Sequence, residues 1–381
     1  MGLKGVLWLI IVFSILVLIT LFGELPQFQG TWIARLRKVL FNVPRRVFGQ
    51  YEDSIGVWWN RAEPYLRWTV PIGYLALVSG CIYVFLRDVY PEVERSDISS
   101  LQKRIIIPIV ISLPYISATL AIFSDPGYID GANHLRILQK FPYDGILFVP
   151  DNECVTCKRV KPPRSKHCRT CNMCIAMSDH HCVFINRCIG YYNIRWFLFF
   201  VSSNSILLGY GFYILRRNLA QLVHSMIWQG PRGFLNYKVW IEAVLQAKSN
   251  GALMFLCGTL FIVSTAFLCE HIKYIYLGVT TNETLKWEDI NDCMDDGTLY
   301  FYDHPTIEER QQSHDLNEPS IVLQKLEHEE GFNRVLTEGE ARRVQAQQLV
   351  LKPLTRFDQI NNIYDRGFWQ NLKDRLFPSQ L

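Results

Sequence analysis

Seven of the chain's eleven cysteines fall between Cys154 and Cys188, together with three of its nine histidines, His167, His180 and His181. Cys154 and Cys157 form one CxxC step, and Cys168, Cys171 and Cys174 form two overlapping ones. A CxxC places two sulfurs on one tight knuckle, which suits a single metal ion. Tetrahedral zinc takes four Cys or His ligands, so two zinc sites would use eight of these ten groups and leave two over. His167 and Cys168 are neighbours whose side chains are expected to point apart, one toward each site. Redox disulfides are the rival reading. Cysteine at this density beside paired histidines argues against them, and disulfides do not persist in reducing cytosol. A purely structural double zinc knuckle would leave the run Asp179-His180-His181-Cys182 unexplained.

The elements that must carry this cluster are apolar. Hydrophobic residues make up 49% of the chain, an ordinary average with an uneven distribution. Five stretches contain no charge: Gly5–Phe22, Trp68–Leu86, Ile105–Phe123, Trp196–Leu215 and Ala252–Cys269. A helix of about 20 residues crosses a hydrocarbon core of about 30 Å, so all five read as membrane spans. Buried helices of a soluble protein are the alternative, and five such segments in one chain argue against it. The first stretch exceeds a signal-peptide core of about 7–15 residues and has no A-x-A-like cleavage site after it, so it is expected to remain a helix. A net charge of +4 carries no global nucleic-acid signature.

Charge sets the expected topology. Residues 24–67 carry seven Lys or Arg and residues 124–195 carry ten, which places both segments in the cytosol by the positive-inside rule. The loop 216–251, with five, fits the far side less well. Arg35, Lys38, Val39, Leu40, Phe41 and Val43 could form a helix on the membrane surface, with a solvated connector as the alternative. Pro71 suits a first helical turn, and Pro108 and Pro114 allow a kink in the third span.

The block from Cys154 to Phe197 resembles the cysteine-rich domain of the DHHC protein S-acyltransferases, the palmitoyltransferases. The likeness rests on the CxxC, the KPPRSKHC run, two further CxxC steps, the DHHC run and a final cysteine six residues on, with Asn193 and Phe197 fitting the downstream pattern. Taken residue by residue, it implies that Cys154, Cys157, His167 and Cys174 hold one structural Zn2+ and that Cys168, Cys171, His181 and Cys188 hold the other. His180 and Cys182 are then left over, with Asp179 beside them. A thiolate is the nucleophile, and a free thiol with a pKa of roughly 8.5 supplies little of it at neutral pH. A histidine base raises the reactive fraction and an aspartate fixes the histidine tautomer. Residues two apart face each other only where the backbone bends, and zinc at His181 is expected to impose that bend. A zinc with an open position activating water is the alternative, and eight available ligands argue against it.

The implied reaction is S-acylation. Cys182 takes a fatty acyl group from acyl-CoA, palmitoyl-CoA being the expected co-substrate, and passes it to a cysteine of a membrane-associated protein. A non-catalytic membrane zinc scaffold is the alternative, and it requires an inert Cys182. A transporter would usually show internal repeats or charges within the spans, and neither occurs. Many family members continue from DHHC with Pro-Trp-x-Asn-Asn-Cys. Here Val183, Phe184 and Arg187 stand at the Pro, Trp and second Asn positions, departures that bear on rate and acyl-chain preference.

Flanking motifs extend the resemblance. Asp125-Pro126-Gly127 is by itself a turn signal; a DPG tripeptide occupies this place in the family, with a structural role. Thr280-Thr281-Asn282-Glu283 is by itself close to a capping box. It also resembles the TTxE motif, which implies that Thr280 and Thr281 lie near the catalytic aspartate, with Thr281 favoured as the partner of Asp179. Lys158, Arg159, Lys161, Arg164, Lys166 and Arg169 form a basic cluster that could meet lipid headgroups, coenzyme A phosphates or nucleic acid. Tethering beside two spans argues against nucleic acid, and the resemblance favours the other two. Thr337-Glu338-Gly339-Glu340 reads as a capping box opening a helix that ends before Pro353. Ile360, Tyr364, Phe368, Leu372 and Leu376 mark one apolar helix face near the end. The run YDRGFWQN there resembles the family's C-terminal motif, through Tyr364 and Asn371, and is expected to pack back on the membrane domain.

The expected architecture is an all-α polytopic membrane protein. Five transmembrane helices, a four-helix core plus one N-terminal helix, carry a cytosolic two-zinc cysteine-rich domain. The expected divisions are an N-terminal helix (1–23), a linker (24–67), a helix pair (68–123), the zinc domain (124–195), a second pair (196–277) and a cytosolic tail (278–381). This layout resembles a fungal branch of the family that acylates SNARE-type proteins at juxtamembrane cysteines. It implies the endoplasmic reticulum membrane, with the Golgi as the alternative, and an active site facing the cytosol. Asn282 begins an Asn-x-Thr sequon that this topology keeps unglycosylated. Glycosidase treatment of the full-length chain is expected to leave its gel mobility unchanged, whereas a glycan at Asn282 would put the tail on the far side.

Overall fold

The computed structural model describes residues 65–150, 152–228, 237–303, 333–337, 352–356 and 362–380, with Ile19 and parts of 31–38 nearer the N-terminus. The expected span Gly5–Phe22 and most of the linker 24–67 lie outside the described residues. In chain order, α1 (Thr69–Val84) passes through a π-helical turn, Phe85–Val89, into α2 (Tyr90–Arg95). A second π-helical turn, Gln102–Ile106, opens α3 (Ile107–Phe123), and α4 (His134–Lys140) follows. Six short strands come next: β1 (Glu153–Cys154), β2 (Arg159–Val160), β3 (Lys166–Cys168), β4 (Met173–Ile175), β5 (His180–Cys182) and β6 (Arg187–Ile189). Then come α5 (Ile194–Trp228), α6 (Tyr237–Gln246), α7 (Lys248–Tyr276) and α8 (Thr281–Asp295). The chain continues with β7 (Leu299–Asp303), β8 (Asn333–Thr337), β9 (Lys352–Pro353) and α9 (Phe368–Leu376).

The protein is a multi-pass membrane protein. Four helical segments are long and apolar enough to cross a bilayer: Thr69–Arg95, Gln102–Phe123, Ile194–Ile227 and Lys248–Tyr276. The shortest has 22 residues, which at 1.5 Å per residue is about 33 Å. These are the last four of the five expected spans. The helices outrun the uncharged stretches, since α5 carries Arg216 and Arg217 within its length. The all-α expectation is corrected by nine short strands among the described residues. Strands of two or three residues are too short to show an alternating pattern in sequence.

Two compact units make up the chain, 1–126 with 181–273, and 127–180 with 274–381. In the first, α5 is the shared partner of the other spans. Ser203, Asn204 and Ser205 are consecutive, so they point about 100° apart around the helix. Ser203 bonds Ser117 on α3 at 2.6 Å, Asn204 accepts from Tyr74 on α1 at 2.8 Å, and Ser205 bonds Ser264 on α7 at 2.7 Å. Where the lipid is as apolar as the side chains, such interhelical bonds and close packing hold helices together. Gly209 marks that closeness, because a Cβ there would lie 2.7 Å from the Phe261 ring. At the other end of the spans Asn218 bonds Glu92 at 3.0 Å and Ser249 bonds Asp88 at 2.6 Å.

In the second unit, β1 pairs with β2 and β3 with β4, each antiparallel. Gly127, at φ 96°, ends the Asp125-Pro126-Gly127 turn. Its carbonyl accepts from Ala176 N–H and Ile129 N–H donates to the Cys174 carbonyl, both at 2.9 Å, so the turn docks on β4. The strand order β8-β7-β9 forms a small sheet. Leu299 and Leu354 are buried there with Trp287 and Ile290 of α8 packed against them. Thr337 ends β8 and Lys352–Pro353 form β9; the helix expected between them lies outside the described residues.

The end of α7 is a Schellman turn. Val279 N–H donates to Tyr274 O at 3.0 Å and Gly278 N–H to Ile275 O at 3.1 Å, with Gly278 at φ 68°. The carbonyls left over at a helix end need other donors. Asn371 Nδ2 meets Ile275 O at 3.0 Å, Asn362 Nδ2 meets Leu277 O at 3.0 Å, and Arg375 meets Val279 O at 2.5 Å. The tail motif therefore packs against this junction, but its helix is shorter than the expected apolar face. It starts only at Phe368, because Gly367 at φ 83° breaks the backbone before it. Its fully buried residues are Asn371 and Arg375, one turn apart, while Leu372 and Leu376 are half-buried.

Gly278 combines left-handed backbone with a close neighbour, since a Cβ there would lie 2.6 Å from Asp365 Cα. Gly297 shares the backbone conformation, at φ 67°, but has open space around it. Left-handed strain costs on the order of 1–3 kcal/mol, and only Gly278 adds a backbone clash. Thermal unfolding of the detergent-solubilised chain is expected to show a larger drop in Tm for Gly278→Ala than for Gly297→Ala.

Candidate active site and metal centre

Cys154, Cys157, His167 and Cys174 form a compact ligand set whose four donor atoms lie within 4.8 Å of one another. Cys157 Sγ is 3.3 Å from His167 Nδ1 and 3.7 Å from Cys174 Sγ, and Cys174 Sγ is 3.8 Å from His167 Nδ1. Zn–S bonds of about 2.3 Å and Zn–N bonds of about 2.0 Å imply tetrahedral edges of about 3.5–3.8 Å. The residues thus fit zinc. Local backbone explains how. Lys158, at φ 53°, follows the CxxC immediately, and Cys157 N–H donates to Cys154 Sγ at 3.4 Å. His167 and Cys174 are directly opposite in the β3–β4 ladder.

The other four expected ligands stand as two pairs, one in each unit. Cys171 N–H donates to Cys168 Sγ at 3.4 Å, and Asn172, at φ 54°, follows as Lys158 follows Cys157. His181 Nδ1 and Cys188 Sγ are 3.6 Å apart on β5 and β6, which pair as a hairpin.

Asp179 is buried, and its carboxylate is held from several directions. Oδ1 accepts from Thr281 N–H at 2.9 Å and Oδ2 accepts from the Thr281 hydroxyl at 2.7 Å. His180 Nδ1 lies 2.7 Å from the same Oδ2. A ring that gives its Nδ1 proton to a carboxylate keeps Nε2 as the proton acceptor. Cys182 is buried in β5, two positions from His180. Alternate residues of a strand project from the same side. β5 is thus extended where a bend was expected.

The three departures from the usual family run are placed in the first unit. Phe184 stands edge-on to Tyr74 with ring centroids 6.5 Å apart, and Tyr74 is in turn edge-on to Phe200 at 5.4 Å. Arg187 Nη1 donates to the Ser124 carbonyl at 3.4 Å. Val183 is exposed.

Thr281 is fixed by a helix cap. The Thr280 hydroxyl accepts from Glu283 N–H at 3.2 Å and Glu283 Oε2 accepts from Thr280 N–H at 2.9 Å, the reciprocal capping box that starts α8. Glu283 also takes a bidentate ion pair from Arg164, with Nε–Oε1 and Nη2–Oε2 both 2.6 Å. Both side chains are buried, at 8% and 1% exposure. Arg164 further donates to Gly278 O at 2.9 Å and lies 4.6 Å above the Tyr364 ring, whose hydroxyl donates to Pro142 O at 2.7 Å. Burial opposes the Arg164 charge, but the Glu283 carboxylate outweighs it and raises the guanidinium pKa. The backbone carbonyl of Arg164 accepts from Ser178 N–H at 2.9 Å, one residue before Asp179. Arg375 is buried nearby. Burial, reinforced by the like charge of Arg164, pushes its pKa down to about 10, so it stays protonated at neutral pH.

Arg164 is thus not part of the basic surface cluster in which the sequence reading put it. Nothing in the string KPPRSKHC separates it from Lys166, which is exposed. Glu283 had a visible signal, the capping-box spacing after Thr280, but its ion pair had none. Arg375 had no signal at all.

A pocket of about 480 Å³ opens in the same unit, with Tyr143, Phe148, Lys161, Lys166, Asn282 and Lys286 among its lining residues. Lys286 Nζ is 4.0 Å from the centre of the Phe148 ring, and burial lowers its pKa. Asn282 Nδ2 is buried without a hydrogen-bond partner among the described residues. Asp144 is buried and accepts from Ile146 and Phe148 N–H, and burial pushes its pKa up to about 6.

The chain is similar to known palmitoyltransferases. The profile described as DHHC palmitoyltransferase matches residues 148–288. The chain is 34% identical to Palmitoyltransferase SWF1 of Yarrowia lipolytica, over 100% of this chain and 99% of the relative. It is 34% identical to Palmitoyltransferase SWF1 of Candida albicans over 97% of each. It is 30% identical to Palmitoyltransferase swf1 of Schizosaccharomyces pombe, over 97% of this chain and 95% of the relative.

Removing one partner of a buried ion pair costs about 3–5 kcal/mol, because the other charge is left uncompensated. Arg164→Met and Glu283→Gln are each expected to lower Tm sharply, and the double variant to lose less than the sum. Thermal unfolding of the three variants beside the wild type measures this coupling.

Proposed function

Because this chain belongs to the DHHC palmitoyltransferase family, we propose that its protein S-palmitoyltransferase activity is carried by Cys182, His180 and Asp179. The Cys182 thiol gives its proton to His180 Nε2 and its sulfur attacks the thioester carbonyl of a fatty acyl-CoA. The carbon–sulfur bond to coenzyme A breaks, and the coenzyme A thiolate leaves with the proton held by His180. In the second step an acceptor protein's cysteine gives its proton to His180 and attacks the Cys182 thioester. The acyl group moves to the acceptor and the Cys182 thiol is restored. Both steps exchange one thioester for another, so acyl-CoA is the only energy source required. The observation that carries this reading is the Asp179 carboxylate, held by Thr281 and 2.7 Å from His180 Nδ1. It orients the ring and stabilises the imidazolium formed in each attack.

Two zinc ions complete the site in this reading. Cys154, Cys157, His167 and Cys174 hold one, and Cys168, Cys171, His181 and Cys188 hold the other. Bound zinc would supply folding energy, on the order of 10 kcal/mol per ion, and would clamp the hairpins that flank Asp179 and Cys182. Palmitoyl-CoA is the proposed donor. Its phosphates suit the ammonium groups of Lys161, Lys166 and Lys286 around the pocket, with Asn282 Nδ2 as a further donor. The acceptors are membrane proteins with juxtamembrane cysteines, SNARE-type proteins among them. α5 begins twelve residues after Cys182, which supports a reactive sulfur near the bilayer surface. The basic segments 24–67 and 124–195 support a cytosolic active site, and the resemblance to the fungal SNARE-acylating branch supports the endoplasmic reticulum membrane, with the Golgi as the alternative.

Cys182→Ser is expected to abolish acyl transfer from palmitoyl-CoA and the acyl label on the chain, with zinc content remaining at two ions per chain. Acyl-biotin exchange reads the label and atomic absorption reads the metal. Retained transfer, or loss of zinc in this variant, would overturn the assignment.

A further inference from the structure

We propose that α9 is a membrane-interface anchor, whose apolar residues seat in the headgroup–acyl boundary of the phospholipid leaflet in which α7 ends. Successive residues turn about 100° around a helix, which divides α9 into three arcs. Asn371 and Arg375 form the buried arc and bond the carbonyls of Ile275 and Val279 at the end of α7. Phe368, Leu372, Leu376 and Trp369 follow in order around one side. Gln370, Asp374 and Lys373 occupy the rest. The apolar arc lies on the α7 side, because the Phe368 ring is 6.4 Å from the ring of Tyr276, the last residue of that span. Trp369 is 78% exposed, Phe377 just beyond the helix 73%, and Tyr276 63%. Three large aromatic residues bared at the end of a membrane span match the aromatic belt that spans place at the bilayer surface. Basic Lys373 borders the arc, as on other interfacial helices.

The anchor bears on catalysis through connections already described, and this part rests on the catalytic reading above. Asn371 and Arg375 hold the segment 275–279, the next residues start α8, and Thr281 holds Asp179. Seating α9 in lipid fixes the segment that orients the aspartate.

The test uses the full-length chain in phosphatidylcholine vesicles, with p-benzoylphenylalanine placed singly at Trp369, Phe377 or Gln370. Irradiation is expected to give phospholipid adducts at 369 and 377 and none at 370, read by mass spectrometry. No lipid adduct at 369, equal adducts at 370, or adducts at 369 to protein alone would overturn the proposal. Should these chains fail to accumulate, the fluorescence difference between wild type and Trp369→Phe answers the same question. In vesicles of phosphatidylcholine brominated near the headgroup end of its chains that difference is expected to be quenched, and an unquenched difference overturns the anchor. Neither readout depends on turnover. Loss of the catalytic reading with adducts intact would leave the anchor standing, and full acyl transfer without adducts would remove the anchor alone.

Discussion

Moving a carboxylate and a guanidinium out of water costs several kcal/mol for each ion, and the site contains such a pair at its centre. Arg164 and Glu283 meet that cost by bidentate geometry, with further bonds to the Gly278 carbonyl and the Thr280 amide. Their value is positional. Glu283 caps the helix that presents Thr281, Thr281 holds Asp179, and the Arg164 backbone holds Ser178 beside it. The path closes on itself, so the aspartate cannot shift without disturbing a buried charge. This arrangement explains why a polar helix start, and not the hydrophobic core, sets the geometry of the proposed base.

The same economy appears where α7 ends. A helix terminus leaves carbonyls without partners and carries partial negative charge. Arg164, Arg375, Asn371 and Asn362 supply donors there from segments far apart in sequence. A membrane span thus finishes in a knot of side chains drawn from the zinc-binding segment and the tail, and α8 starts five residues after the span ends. Gly278 is required at that point, because only glycine accepts both the left-handed turn and the approach of Asp365.

Within the membrane the constraint differs. The spans are apolar on every side, so no hydrophobic stripe tells one helix which neighbour to choose. Ser203, Asn204 and Ser205 decide it by pointing in three directions to three different helices. Their spacing made this possible, but their partners, Tyr74, Ser117 and Ser264, are spread over some 190 residues of sequence.

The sequence by itself determined what local pattern and composition can carry. Four of its five apolar runs are described as spans, because crossing a bilayer needs only length and lack of charge. The CxxC steps marked metal ligands, and the family resemblance grouped Cys154, Cys157, His167 and Cys174, whose donor atoms lie within 4.8 Å of one another. The capping box at Thr280 was visible because it closes within four residues. Three things were decided only by tertiary structure. Arg164 is buried while its basic neighbours are not, since its partner is over 100 residues away. The face of α9 that packs is the polar one, because a helix end offers carbonyls and not a hydrophobic surface. The run His180–Cys182 is a strand, because pairing with β6 extends a run too short and too polar to announce itself. The residues proposed to carry the chemistry could be named from sequence because they are neighbours in it. Of the groups that hold them still, the family resemblance pointed to Thr281, but the Arg164–Glu283 pair behind it meets only through folding.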